Sequence, residues 1–311
     1  MGLALVSLAA ACTSQTGILP SSNPAPVDTR ESSSPGPARY SATVIVSDAR
    51  WVDWIATGDT QLFLAMNVLG ARLANTQSKV TAVPLTGGDP VALAGTEALG
   101  AGITGIAASG DVVYFTRVGG PNLRDGGVFR YASGRSVAVL DGRNAPAGIA
   151  VSSTDEMFIA ETYTGQVLRV RGATINTYAG RGACADRNPP IAGAATDAAL
   201  CSLELLAMTA TGDLYISGHG QAWIAKVDPT ETLSVFVTDF GPSSLAIDTK
   251  GELLAARGSQ LVHFDAAGTP TVIADDLGLI RSISVSRDGS IYVLHSNGSG
   301  GMERVTRLRA I

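Results

Sequence analysis

The sequence predicts an all-β fold built from one repeated unit of short strands, and three observations carry that reading. The first is the unit itself. An apolar strand meets a small polar turn containing Asp or Gly, and a second strand rich in β-branched and aromatic residues follows. The second is its period. Copies read WVDWIATGDTQLFLA (51–65), ITGIAASGDVVYF (103–115), AGIAVSSTDEMFIA (147–160), LLAMTATGDLYIS (205–217), SSLAIDTKGELLAA (243–256) and SISVSRDGSIYVL (282–294). Their turns begin near Gly58, Gly110, Thr154, Gly212, Lys250 and Asp288, at intervals of 52, 44, 58, 38 and 38 residues, a mean of 46. The third is composition. The 311 residues include 36 glycines, with 16% charged and 5% aromatic side chains, which suits tight turns between stacked sheets.

Taken in order, the chain opens on an apolar run, LALVSLAAA (3–11). A membrane-spanning helix needs about 20 apolar residues, whereas this length and small-residue end suit a secretory signal covering residues 1–11. No Lys or Arg occurs before Arg30, so the usual basic n-region has no counterpart here. Residues 13–39 hold five of the 14 prolines and six serines with few large apolar side chains. Such a stretch cannot bury enough surface to offset its ordering entropy, so residues 12–39 are expected to form a disordered tether. The strand SATVIVS (41–47) comes next and has no unit of its own.

The middle units each continue with a third strand: GVFRYA (127–132), QVLRVR (166–171), WIAKVD (223–228) or QLVHFD (260–265). A fourth follows, as in SVAVLD, TINTYAG, LSVFVTD and TPTVIAD. Four short strands every 40–50 residues are the signature of propeller blades. The last copy, 282–311, offers only three strands (SISVS, SIYVLH, RVTRLRA). Pairing SATVIVS with it closes the ring and leaves no exposed edge. Residues 40–311 are therefore expected to form a six-bladed β-propeller closed by an N-terminal strand, with seven blades as the alternative.

Two resemblances sharpen this outline. Ala9-Ala10-Ala11 followed by Cys12 resembles the lipobox of bacterial lipoproteins. It implies that Cys12 is lipidated and that the chain is exported and anchored at the bacterial cell envelope. With Cys12 assigned to lipid, Cys184 and Cys201 remain. An even remainder in an exported chain reads as one disulfide, whose loop closure is worth about 3 kcal/mol in the chain-entropy view. The segment PAGIAVSSTDEMFIAETYTGQVLRV (146–170) resembles an NHL repeat. Residues 175–217, with an AGxG turn, a Gly/Pro loop and an AxTDAxL segment, resemble the inter-blade connection of bacterial NHL-repeat proteins. The resemblance spans roughly residues 100–311 and is sharpest over 144–217. It departs where Thr164-Gly165-Gln166-Val167 replaces the Asn-His-Leu-type core.

Composition bounds function. The net charge is −5 without a basic cluster, so nucleic acid is not an expected partner. In propellers the loops between second and third strands line one mouth of the ring, a common ligand site. Here they supply Arg117, Arg124, Asp125, Glu161, Tyr163, His219, Arg257 and His295, beside Asn297. Two histidines and two carboxylates are potential metal ligands, but they come from different blades and form no metal motif. His263 reads as a satisfied or surface histidine, and Asn297-Gly298-Ser299 as a turn. Trp51 and Trp54 read as core or rim packing. The long insertion 181–203, with Arg181, Asp186 and Arg187, is the candidate partner loop, with a capping loop over the blade interface as the alternative.

The gluconolactonase/regucalcin-like hydrolases are similar in architecture and hold a divalent cation with an axial Glu, Asn and Asp. Here Ala147 precedes Gly148 where their Asn stands, and Ser244 occupies the Asp position. Neither is a useful ligand for a hard cation. No Gly-x-Ser-x-Gly elbow and no phosphate loop occurs. The sequence thus assigns no catalytic residue and no cofactor, a divalent cation being the one candidate. The expected role is a monomeric binding or scaffold module for a protein or glycan partner at the envelope. The alternative is a propeller-type hydrolase or lyase using the axial channel, and a third reading is a sensor or assembly component.

Overall fold

A computed structural model describes residues 40–68, 77–119, 125–182, 188–218, 220–296 and 303–311. Cys12 and the tether lie outside these residues, as do Arg124, Cys184, Asp186, Arg187, His219 and Asn297. The described chain forms six small antiparallel sheets, the blades of a six-bladed β-propeller.

The chain enters on β1 (Tyr40–Val46). Blade one comprises β2 (Val52–Thr57), β3 (Gln61–Val68), β4 (Gln77–Pro84) and the short β5 (Val91–Ala92), with β6 (Ala98–Leu99) also pairing β4. Blade two is β7 (Ala101–Ser109), β8 (Val112–Gly119), β9 (Asp125–Ala132) and β10 (Arg135–Asn144). Blade three is β11 (Pro146–Val151), β12 (Met157–Glu161), β13 (Gln166–Arg171) and β14 (Thr174–Ala179). A two-residue strand, β15 (Gly193–Ala194), then adds to the outer edge of blade four. That blade is β16 (Leu203–Met208), β17 (Leu214–Gly218), β18 (Trp223–Val227) and β19 (Thr232–Thr238). Blade five is β20 (Ser244–Ile247), β21 (Leu253–Arg257), β22 (Gln260–Phe264) and β23 (Pro270–Ala274). Blade six takes β24 (Leu279–Val285), β25 (Ile291–Ser296) and β26 (Glu303–Ala310) from the end of the chain. Its fourth strand is β1, antiparallel to β26 from Tyr40↔Ala310 to Val46↔Val305. This is the predicted closure.

Burial follows from stacking. The second strand of each blade is sandwiched by its neighbours, so β12, β17 and the first five residues of β25 are buried throughout. These strands read as continuous apolar runs and not as alternation. The seam between blades three and four is filled by part of the insertion. A single 3-10 turn (Ala195–Asp197) brings Ala195, Ala198 and Leu200 into a core with Phe158, Tyr178, Leu203 and Trp223. Half of the predicted partner loop is thus a packing wedge.

Neighbouring inner strands approach too closely for side chains at two positions. A Cβ on Gly105 would lie 2.4 Å from the Ala147 carbonyl oxygen, and one on Gly148 would lie 2.2 Å from that of Glu204. Only glycine fits there. At five of the six seams, polar side chains reach across to backbone groups of the next blade. Asn67 accepts from Ile103 N–H and donates to Ile103 C=O, both at 2.8 Å. Thr104 and Thr116 donate to Pro146 and Ala147 carbonyls at 2.6 Å, and Thr162 to Leu203 C=O at 2.8 Å. Ser244 accepts from Ile283 N–H at 3.0 Å, and Ser282 from Ile55 N–H at 3.1 Å. The seam between blades four and five uses apolar packing, where Tyr215, Phe236, Phe240 and Phe264 meet edge to face.

Asn67→Ala leaves two buried backbone groups of Ile103 without their partner, so it should lower stability by about 2–3 kcal/mol in urea unfolding. Asp48→Ala, which removes an exposed pair with Arg50, should change it by no more than about 0.5 kcal/mol.

Candidate functional site

The six inner strands enclose an axial channel of about 240 Å³. Its wall is mostly Ile, Leu, Ala, Val and Gly, with Trp54 and Met208. Five hydroxyl side chains line it, and all five are engaged. Ser244 and Ser282 accept the inter-blade bonds above, and Thr104 donates to Pro146 C=O. Thr57 donates to Val285 C=O at 2.7 Å, and Ser284 accepts from Thr57 N–H at 2.9 Å. Among the described lining residues, the one ionisable side chain is Glu204. Burial raises its carboxyl to about 7, because a low-dielectric wall disfavours the charged form.

Glu204 belongs to a ring. Matching the inner strands by their shared turn bonds and cross-seam serines places Asp53, Thr104, Ala147, Glu204, Ser243 and Arg281 at one level, near the mouth. Asp53 and Arg281 sit on adjacent strands, and Arg281 Nη1 lies 3.2 Å from Asp53 Oδ1. Arg281 Nε also reaches Glu303 Oε1 at 2.8 Å. Asn67 donates to Asp53 Oδ2 at 2.8 Å. Desolvation raises both carboxyls, partly offset at Asp53 by Asn67 and Arg281 and at Glu303 by Arg281. Two acids and one guanidinium therefore span the seam where the ring closes.

Above this ring the mouth carries exposed apolar side chains. Trp51 is 49% exposed, Tyr163 51% and Leu279 51%. Trp51 adopts φ +69°, a left-handed conformation costly for a bulky residue. It is held there by Asn67 N–H on its carbonyl at 2.7 Å and by its own N–H on the Glu303 carboxyl. Trp54, two strand positions inward of the same mouth, lines the channel.

The described candidate residues are not joined into one constellation. Arg117 lies partly buried over the Phe115 and Phe129 rings, 5.3 and 4.5 Å from their centroids, and donates to Thr96 C=O at 2.5 Å. Desolvation lowers its pKa. Glu161 is buried and accepts from Asn144 N–H at 3.1 Å and the Thr164 hydroxyl at 3.2 Å, tying blade two to blade three. His295 is buried, with Nε2 2.8 Å from Thr306 Oγ1, and burial beside Arg304 lowers its pKa. Arg257 is exposed and stacks over Phe240 at 4.7 Å. Asp125 is exposed at the start of β9, and Arg181 is exposed with its N–H on Ala198 C=O at 3.0 Å. His263 is satisfied, as expected, but by two carboxylates, Glu252 at 3.0 Å and Asp248 at 3.5 Å.

Sequence reasoning missed Glu204, Asp53 and Arg281 because it took the loops as the mouth. The signal was present: aligning the copies on their turns puts a charge at the same inner-strand position three times.

No protein-family model matches the chain, and no curated protein matches it. Solved structures do. A gluconolactonase from Xanthomonas campestris aligns at 15% identity, covering 87% of this chain and 89% of that one, with a TM-score of 0.60. The PQQ-bound aldose sugar dehydrogenase from Streptomyces coelicolor aligns at 18% identity, covering 88% of this chain and 99% of that one, with a TM-score of 0.56. The WD40 β-propeller domain of Doa1 aligns at 13% identity, covering 87% and 96%, with a TM-score of 0.54. At such identities the likeness shows the propeller fold alone, and its bearers include enzymes and a WD40 domain.

Glu204 gives a pH prediction. Its folded pKa, about 7, lies above the ordinary carboxylate value. The native state therefore holds the proton more tightly, and stability falls as pH rises through the interval from about 4.5 to 7. Glu204→Gln should melt higher than the parent at pH 8, by the equivalent of about 3 kcal/mol, and match it near pH 4. Melting curves across this range test it.

Proposed function

We propose that the protein is a lipid-anchored binding or scaffold module of the bacterial cell envelope, with the mouth of the propeller as its recognition surface for a protein or glycan. The observation that carries this reading is the mouth itself. Trp51, Tyr163 and Leu279 stand half-exposed around a ring bearing Asp53, Glu204 and Arg281. Large apolar side chains beside charged groups are the composition of recognition surfaces, and aromatic faces suit sugar rings as well as protein side chains. The strained backbone of Trp51 supports the same reading, since such conformations gather at functional sites. The lipobox-like segment before Cys12 and the Ser/Pro-rich stretch to residue 39 support a tethered display of this face. The divergent NHL-like segments 146–170 and 175–217 fit a propeller that works by binding. A Cys184–Cys201 disulfide completes the proposal, supported by the burial of Cys201 and by the Gly180 and Arg181 N–H bonds to Ala195 and Ala198 that hold the base of that loop.

One observation favours the alternative, a hydrolase or lyase working through the channel. A carboxyl with a pKa about 7 is poised for proton transfer at neutral pH. In this reading Glu204 is the general acid or base.

Cross-linking in intact cells separates the two. The binding reading expects a discrete adduct whose yield falls at least fivefold in a Trp51→Ala/Tyr163→Ala double variant that melts like the parent, while Glu204→Gln keeps it. An unchanged adduct in the double variant defeats it. Turnover of a lactone or glycan panel that Glu204→Gln abolishes establishes the enzyme instead. Cys12→Ser should move the protein from the membrane to the soluble fraction, and retention on membranes refutes the anchor.

A further inference from the structure

Four of the six blades repeat a pairing between their second and third strands; blade one has an alanine in place of the cation, and blade five departs in a different way. Near the start of the second strand stands Phe63, Tyr114, Phe158, Tyr215, Leu254 or Tyr292, and its partner on the third strand is Ala82, Arg130, Arg169, Lys226, His263 or Arg307. Four blades thus place a permanent cation here, three of them in register with a tyrosine and one with Phe158. Where acids face these cations there is one, Glu231 for Arg169 and Asp213 for Lys226. Blade five substitutes an imidazole and gives it two carboxylates.

The geometry of that exception is specific. His263 Nε2 lies 3.0 Å from Glu252 Oε2 and 3.5 Å from Asp248 Oδ2, and the three donor atoms lie within 4.8 Å of one another. A tetrahedral zinc ion with ligands near 2.1 Å requires donor–donor edges of about 3.4 Å. Two of the three edges already match. The Asp248 carboxylate is pre-oriented, because its Oδ1 accepts the Lys250 and Glu252 N–H groups at 2.8 Å each while Oδ2 faces the imidazole. Such fixed second bonds are what hold metal ligands in place. His263 itself is locked in the middle of β22 between Leu254 and Thr271. All three side chains are partly buried, with exposures of 24%, 19% and 26% for His263, Asp248 and Glu252.

We propose that Asp248, Glu252 and His263 form a binding site for a divalent transition metal of the zinc class, at the β20–β21 turn of blade five and at the end of the propeller away from the mouth. One nitrogen and two carboxylate donors select a borderline ion over calcium or magnesium, which favour all-oxygen shells. Three protein donors leave a further position for water. The site does not depend on the function proposed above.

The test is zinc titration of the EDTA-stripped full chain, with cobalt as the spectroscopic probe. One zinc per chain should bind, raise the melting temperature, and outcompete a tenfold excess of calcium or magnesium. Cobalt should show visible absorption of a tetrahedral or five-coordinate site. His263→Arg places at this register the residue that blades two, three and six carry, so the fold and ion pairing should persist without metal. Its zinc affinity should fall tenfold or more, its melting shift should vanish, and the cobalt band should disappear. A parent chain that binds neither ion, or an Arg variant with undiminished affinity, overturns the site and leaves the triad an ion pair.

Discussion

A ring of separate sheets has few backbone hydrogen bonds from blade to blade, such as Ile280 N–H to Gly258 C=O at 2.8 Å, so the seams are held mainly by side chains, and this constraint organises the molecule. The inner-strand groups that face a seam are buried, and a buried N–H or C=O without a partner costs more than most contacts return. The chain answers with Asn67, Thr104, Thr116, Thr162, Ser244 and Ser282, each reaching into the next blade. The glycines at 105 and 148 bring the backbones near enough for those short side chains to span the gap. The last seam also has to reconcile the two ends of the chain, and β1 does so by completing the sheet that β24, β25 and β26 begin.

That solution limits where chemistry can sit. Hydroxyls inside the channel are consumed by stitching, so they are neither free nucleophiles nor free ligands. Among the described residues lining the channel the one ionisable group is Glu204, which shifts toward its neutral form, while its level-mates Asp53 and Arg281 neutralise one another. The inner-strand residues Ala147 and Ser244 are likewise committed. Ala147 offers a carbonyl to Thr116, and Ser244 an oxygen to Ile283. Here those positions serve the seams.

The fold was legible because each blade writes the same pattern. The closing strand 41–47, the turn positions and the third strand 166–171 follow from period and alternation, since these properties are local to a blade. The mouth was less legible, because its loops and its ring are assembled by closure. Glu161 and His295 looked like loop ligands in one dimension, yet closure buries them as seam and core groups. Leu200 and Ala195 of the insertion pack into the seam between blades three and four, as the capping-loop alternative expected, though only the assembled core shows which residues do so. Asp53, Glu204 and Arg281 were recoverable, since repeats aligned on their turns put them at one position.

The same alignment logic explains why a repeat protein exposes its specialised residues by contrast. Positions that serve the ring are under a common demand, so they converge on one chemistry, as the cations at 130, 169, 226 and 307 do. A position that departs while its backbone register stays intact has been released from that demand or recruited to another. Leu254 and His263 depart together, and release alone accounts for the loss of the aromatic ring and the permanent charge. It does not account for two carboxylates converging on the one imidazole, because in blades three and four a lone acid faces a full positive charge. Recruitment explains both changes, and the backbone amides that fix Asp248 belong to a turn that blades three and four build in the same way with Ser152 and Thr209.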